Sequence, residues 1–444
     1  MKKITIRNFG PIQNIEDLEI KDFMVFIGPQ ASGKSTVAKM VYFFKSVRED
    51  VLKYLLGLLE KKSSRTFPAA INVLTVGLED KFNELLSSKM LQDDTQIDFE
   101  YKTDHSISVK KSSLSFSSKV SISLKGRMHT GIQALITKCE KFAVQKGKSS
   151  NKFPTQTERI IKEADLESFK EGLANEINIF FGEEEEPLFI PAGRAVLTSL
   201  VEHLPFFETG SKMDLLTKDF AKKVLFVRPY FDKKNGELVY ENAARLGKNA
   251  SPEFVKAAQS KIQSILKGEY RRENDEERIY FSQNRYVSIG HASSGQQESL
   301  WILMLIFIRI LDKSKVFVVV EEPEAHLFPD AQKEIVELIA LLCNAQPGNK
   351  ALITTHSPYI LYAVNNFLMA QKVLAAGRSL PPEIPPETAL RPEQVAAYRF
   401  SSDGKVYDIM DAEVGLIDED ELDRTADELG VTFSSLQDRL DGTE

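Results

Sequence analysis

Gly28-Pro29-Gln30-Ala31-Ser32-Gly33-Lys34-Ser35 has the residue types and spacing of a loop that wraps phosphate. Glycines let the chain turn tightly enough for successive backbone N–H groups to face one anion at a helix start. Lys34 is placed to reach the β- and γ-phosphates of a nucleotide and the Ser35 hydroxyl to hold Mg²⁺, with Thr36 next along. Far downstream, Val316-Phe317-Val318-Val319-Val320 reads as a buried strand ending in Glu321 and Glu322. Two carboxylates at such a strand end can divide the work, Glu321 on the Mg²⁺ shell and Glu322 orienting or deprotonating an attacking water. Aspartate is the more usual first acid, so the longer Glu321 could act through a water. Ser293-Ser294-Gly295-Gln296 opens an apolar helix with hydroxyls and free N–H groups, although such a run is commonly only a helix cap. His356, in Ile353-Thr354-Thr355-His356-Ser357-Pro358, closes another apolar strand.

These groups need strands and helices to aim them. The alternation at the amino terminus predicts strands at Lys3–Arg7, Asp17–Ile20 and Phe23–Ile27, then a helix from about Lys34 to Glu60. A helix near Leu78–Leu86 leads to short strands at Ile97–Tyr101, Ser106–Val109 and Val120–Leu124. Leu135 to Phe181 reads as helical, broken by the polar Gln145–Pro154. An acidic run, Glu183–Glu186, precedes the apolar Leu188–Ile190, which ends in Pro191-Ala192-Gly193-Arg194. From Ser288 to Met369 strand and helix alternate. Beyond lie a proline-rich linker (Pro381 to Pro392), a hairpin around Ser402-Asp403-Gly404, and a helix whose Leu429, Val431, Phe433, Leu436 and Leu440 form an incomplete apolar stripe. The expected divisions are 1–100 and 281–370 as the two halves of one α/β unit, 101–280 as an inserted lobe, and 371–444 as an acidic tail.

Composition narrows the class. The 444 residues are 42% hydrophobic and 27% charged, as in a folded soluble protein. Cys139 and Cys343 are the only cysteines, too few for a disulfide framework, which fits a reducing, cytoplasmic setting. The most apolar stretch, Leu300 to Leu311, contains Arg309 and is too short to span a bilayer, so it is read as a buried helix with no membrane contact. Net charge is −7, against wholesale coating of nucleic acid, but it is uneven. Lys102–Lys162 carries 13 basic and 3 acidic residues, and Asp411–Glu444 carries 12 acids and 2 arginines. Each is either a solvated face or a docking surface.

Taken in order, the four motifs resemble the ABC/SMC ATPase superfamily, especially stand-alone bacterial ATPases related to RecF and the OLD family. Ile6-Arg7-Asn8-Phe9-Gly10-Pro11-Ile12, Phe189-Ile190-Pro191-Ala192-Gly193-Arg194 and Glu321-Glu322-Pro323-Glu324-Ala325-His326-Leu327-Phe328-Pro329 add to the likeness. The resemblance implies an α/β fold, an ABC-type P-loop NTPase head with a mixed β-sheet flanked by helices and a largely helical inserted lobe. It implies ATP and Mg²⁺ as cofactors, Lys34, Glu322 and His356 as catalytic residues, and His356 as the switch histidine that senses the γ-phosphate. Ser293, Ser294, Gly295 and Gln296 would be the signature that contacts a nucleotide held by another subunit. His326 falls at the dimer seam, and Phe328 stands where relatives often carry a second histidine. Expected partners are a second copy through shared ATP sites, or a higher oligomer, and a separate effector such as a nuclease or toxin, with anti-phage defence as the setting the resemblance implies. DNA, through Lys102–Lys162, is the partner in a RecF-like alternative. The Toprim pattern of OLD nucleases is lacking, so the chain is not read as a nuclease. A transporter subunit would need a membrane partner. Arg194 is either a phosphate- or partner-sensing residue or a structural salt-bridge arginine.

Overall fold

The computed structural model describes residues 2–60, 70–112, 120–148, 156–199, 213–231, 251–273, 276–418, 430–437 and 439. The chain opens with the hairpin β1 (Lys2–Phe9) and β2 (Ile12–Ile20), then the apolar β3 (Phe23–Ile27). Helix α1 (Lys34–Glu60) starts within the phosphate-loop sequence, and α2 (Ala70–Leu85) packs on it. Strands β4 (Leu91–Lys102), β5 (His105–Lys111) and β6 (Val120–Gly126) precede the helices α3 (Arg127–Lys148) and α4 (Gln156–Phe181). After β7 (Glu186–Ile190) come the short α5 (Ala195–Ser199), α6 (Leu215–Val227) and α7 (Pro252–Leu266). A small antiparallel sheet follows, made of β8 (Glu269–Glu273), β9 (Glu276–Ser282) and β10 (Arg285–Ser288). The remainder alternates through α8 (Ser294–Asp312), β11 (Val316–Glu321), α9 (Pro329–Ala345), β12 (Lys350–Thr355) and α10 (Pro358–Ala375). The hairpin β13 (Val395–Phe400) and β14 (Val406–Asp408) follows, then a short antiparallel pair, Met410–Asp411 with Leu416–Ile417.

The central sheet runs β14-β13-β3-β12-β11-β7, and every pairing in it except β13–β14 is parallel. Parallel strands buried on both faces read as unbroken apolar runs, which is why Phe23–Ile27 and Val316–Val320 show no polar alternation. Their side chains still alternate between two cores. Phe23, Val25, Val316, Val318 and Val320 face the helices of the carboxyl-terminal half, including α8, α9 and α10. Met24, Phe26, Phe317 and Val319 face α1 and the second, antiparallel sheet, ordered β2-β1-β4-β5-β6. Helix α1 thus lies between the sheets, with Val37, Val41, Phe44, Val51 and Leu55 all fully buried.

Two composition boundaries cut across these sheets. The division at residue 100 falls inside β4, which pairs with both β1 and β5. Residues set apart as a tail supply β13, which lies beside β3 in the central sheet, with the hairpin turn where the sequence indicates it. Residues 430–437 are helical, and Val431, Phe433 and Leu436 are exposed; Leu429 and Leu440 lie outside the described residues. No described helix is long and apolar enough to cross a membrane.

The acidic run has a structural role that its sequence does not announce. Glu183 takes ion pairs from Lys45 and from Lys2 at 2.5 Å, Glu184 pairs with Lys315, and Glu185 with Lys350. Glu186 accepts from Lys223 at 2.9 Å and Arg309 at 2.8 Å, so cations from six segments converge on four residues. Burial opposes charge on Glu185, yet Lys45 and Lys350 outweigh it and hold its carboxyl at about 2. Glu183 and Lys45 are both almost fully buried, so neutralising one strands the other's charge. Glu183→Gln is therefore expected to lower unfolding stability by about 3–5 kcal/mol, and Lys45→Met added to it to restore part of that loss. Denaturant titration of the three proteins measures both effects.

Candidate nucleotide site

The parallel strands all present their carboxyl ends on one edge. Thr355 of β12 lies opposite Ile27 of β3, and Thr354 opposite Glu321 of β11. Ligands of open parallel sheets collect at this edge. Gly28 leaves β3 with φ 152°, and a Cβ there would lie 2.1 Å from the Phe400 carbonyl oxygen, so β13 fixes a glycine at this place. The loop turns through Ala31 at φ 59° and enters α1, whose first N–H groups have no partner within the helix.

A pocket of about 540 Å³ lies over this loop. Gln30 through Thr36 line it, joined by Glu322 and His356 and, from the second sheet's side, by Pro11 and Met90. Lys34 Nζ donates to the carbonyls of Gly28 (2.8 Å) and Pro29 (2.7 Å) and lies 3.5 Å from His356 Nδ1. Burial pushes the Lys34 amine down to about 8, against the opposing pull of Glu322 and Glu324. His356 Nε2 is 3.2 Å from Glu322 Oε1, so one imidazole links the lysine to the carboxylate. The pattern suits a ring protonated on Nε2 that accepts at Nδ1.

The two carboxylates at the end of β11 differ as their positions predict. Glu321 is buried, accepts from Ala192 N at 3.3 Å and from the Ser35 hydroxyl, and has Oε1 unpartnered. Burial raises its carboxyl above the usual range, with Lys39 and Ser35 opposing. A buried carboxylate oxygen lacking a partner, beside a serine hydroxyl at a phosphate loop, fits a divalent cation. Glu322 has the left-handed backbone φ 45°, which costs strain in a non-glycine residue. Its N–H donates to Thr354 O at 2.8 Å, and its carbonyl accepts from Arg194 Nη2 at 3.0 Å. Its side chain remains 39% exposed, within reach of solvent.

Two positioning contacts come from residues outside the phosphate loop, the strand-end acid pair and the histidine strand. Glu324 accepts from the Thr355 hydroxyl at 2.6 Å and from the His356 N–H at 2.8 Å, fixing the turn that carries the histidine. A third acid after a strand-end pair was the available signal. Arg194, fully buried, donates to Pro191 O, Glu321 O, Glu322 O and Glu298 O, so it braces main chain from three segments and does not line the pocket.

Ser293, Ser294, Gly295 and Gln296 do not line the pocket. Ser293 caps α8 in a reciprocal box with Gln296, and both serines are exposed. Gly295 packs under the loop after β11, where a Cβ would sit 2.7 Å from the His326 carbonyl oxygen. His326 itself is exposed at φ 60°, and Phe328 two residues on is 76% exposed. The helix start and this loop therefore form one surface.

A phosphate loop, paired strand-end acids and a strand-end histidine on a mixed sheet have the arrangement of a P-loop ATPase site. The AAA ATPase domain family matches residues 1–188 and 218–361, and the chain belongs to that family. Among solved structures it is similar to an SmcHead bound to the C-winged helix domain of ScpA, at 11% identity over 91% of this chain and 96% of that one, TM-score 0.39. It is also similar to an Smc head domain with an extended coiled coil bound to the C-terminal domain of ScpA, derived from Pyrococcus furiosus. There identity is 12% over 97% of this chain and 100% of that one, TM-score 0.36. The SMC head domain from Thermotoga maritima follows, at 11% identity, 81% and 90% coverage and TM-score 0.34. No curated protein matches the chain significantly.

Proposed function

We propose that the chain hydrolyses ATP in a site completed by a second copy, and that the nucleotide-gated dimer regulates a separate effector. The observation that carries this is the split of the machinery. Lys34, Glu322 and His356 share one pocket, whereas Ser293 and Ser294 are exposed elsewhere. In this reading the loop N–H groups and Lys34 hold the phosphates, and Ser35 and Glu321 hold Mg²⁺. The cation, when bound, neutralises charge on the transferring phosphoryl group. Glu322 takes the proton of the attacking water as the γ-phosphoryl group passes to that water and ADP leaves. His356 orients Glu322 and contacts the γ-phosphate. The reading is tested by ATP turnover with and without EDTA, together with sedimentation of Glu322→Gln in ATP and in ADP. Turnover that ignores EDTA, or a monomer in both nucleotides, would overturn it.

Lys34 supplies a pH signature. Phosphate contact favours its charged form, whereas burial in the free pocket lowers the amine to about 8. Binding above that pH must then take up a proton. ATP affinity is expected to be flat below pH 8 and to fall by up to about tenfold per pH unit above it. Calorimetry in buffers of different ionisation enthalpy checks this, and flat affinity from pH 7 to 9.5 would show that binding draws no proton onto Lys34.

Effector control, with anti-phage defence as its setting, rests on the resemblance to RecF- and OLD-related ATPases. For DNA, the basic segment gives limited support. Lys111 pairs with Asp93, Lys125 with Asp98 and Lys138 with Glu176, while Lys119 and Lys152 lie outside the described residues. DNA-stimulated hydrolysis with affinity falling steeply in salt would favour the clamp reading.

A further inference from the structure

The Pro191–Thr198 segment lies outside the phosphate pocket, yet it fastens the two halves of the split machinery to each other. Arg194 Nη1 donates to Pro191 O at 2.6 Å and Glu321 O at 2.7 Å, and Nη2 to Glu322 O at 3.0 Å. Its Nε donates to Glu298 O at 3.0 Å, in the second turn of α8. Glu298 answers through its carboxylate, accepting from Arg194 N at 3.0 Å and Ala195 N at 3.1 Å. One turn on, the buried Thr198 hydroxyl donates to Gln297 O at 2.8 Å. Ala192 N meets Glu321 Oε2 on the other side. A planar five-donor fork can hold carbonyls from three elements at fixed spacing, which a lysine cannot.

Both carboxylate-bearing residues are thus held through their main chain to the helix that starts at Ser293. Glu322 sits at a strained φ of 45°, the kind of backbone that an adjacent change can shift. We propose that Arg194 is a positioning residue that couples occupancy of the phosphate pocket to placement of the Ser293–Gln296 helix start. A chain then presents that helix start to its partner according to the nucleotide it holds itself. The inference rests on the ATPase reading above and adds a route between the two surfaces.

The protein carries its own reporter. Its single tryptophan, Trp301, lies fully buried on α8, three residues beyond Glu298, with Tyr270 edge-on at 5.9 Å. MgATP is expected to change Trp301 emission in the wild-type chain. In Arg194→Lys, MgATP should still bind near the wild-type Kd, the emission response should be lost, and kcat should fall by about 10–100-fold. Thr198→Val removes one hydroxyl at nearly constant volume and serves where Arg194→Lys does not fold. It should reduce the emission response while keeping ATP affinity. Emission responses equal to wild type in folded Arg194→Lys or Thr198→Val would overturn the coupling, since a purely structural role would change only the melting temperature. Absence of ATP binding by the wild-type chain would overturn the site reading itself, and the coupling with it.

Discussion

Glu322→Gln is expected to bind ATP as tightly as wild type and to turn it over about 10²–10⁴-fold more slowly, the range that a positioned general base contributes. The amide can still accept from His356 Nε2, now 3.2 Å from Glu322 Oε1, so the geometry of the pocket is kept. What it loses is the ability to take the water's proton. The left-handed turn at residue 322 is held through its backbone by Thr354 O and Arg194, and neither contact depends on the side-chain charge. Lys34→Ala separates binding from turnover in the opposite sense. Two charge-assisted hydrogen bonds to phosphate are worth about 3–6 kcal/mol together, so binding should vanish at working concentrations. Equilibrium nucleotide binding and single-turnover hydrolysis on each variant measure the two effects. Equal turnover by Glu322→Gln and wild type would take Glu322 out of its role.

Much of this site is legible in sequence because each part is local. A glycine-rich turn between an apolar strand and a helix needs only neighbouring residues, so β3, the loop and α1 from Lys34 to Glu60 follow from about forty consecutive positions. Val316–Glu321 and Lys350–Thr355 are legible for the same reason, since full burial of parallel strands writes itself as an apolar run. Contacts between distant segments leave no such mark. Phe400 fixes Gly28 across more than 370 residues, and its strand lies in a segment whose acidic composition argues for a tail. Arg194 could be read as a sensor or a brace because an arginine after Pro-Ala-Gly has no periodic or compositional signature. Its partners are carbonyls from three segments far apart in the chain, which nothing in the local sequence marks. The Glu183–Glu186 run shows in sequence only as four acids, and its cations come from six segments separate in the chain.

Mixing two inactive variants is expected to restore activity if the site is shared. Lys34→Ala damages the phosphate loop and leaves the helix start at Ser293 intact. Ser293→Arg does the reverse, placing a bulky cation at an exposed helix N-terminus where an anion is wanted. It also removes the Ser293–Gln296 capping box, a loss of about 1 kcal/mol that melting curves must show to be tolerated. Each protein alone should be nearly inactive. A two-fold dimer places the same surface of both copies at the interface, so a heterodimer holds one site with two good halves and one with two bad halves. Random pairing of equal amounts makes about half the dimers mixed, which sets recovery near one quarter of wild-type activity when sites fire independently. Strict coupling between sites would hide that recovery. ATP-dependent dimerisation of Glu322→Gln, with and without Ser293→Arg, then reads the same interface without turnover. Full ATPase activity from a wild-type chain that stays monomeric at saturating ATP would exclude a shared site, because the pocket of one chain would then be sufficient.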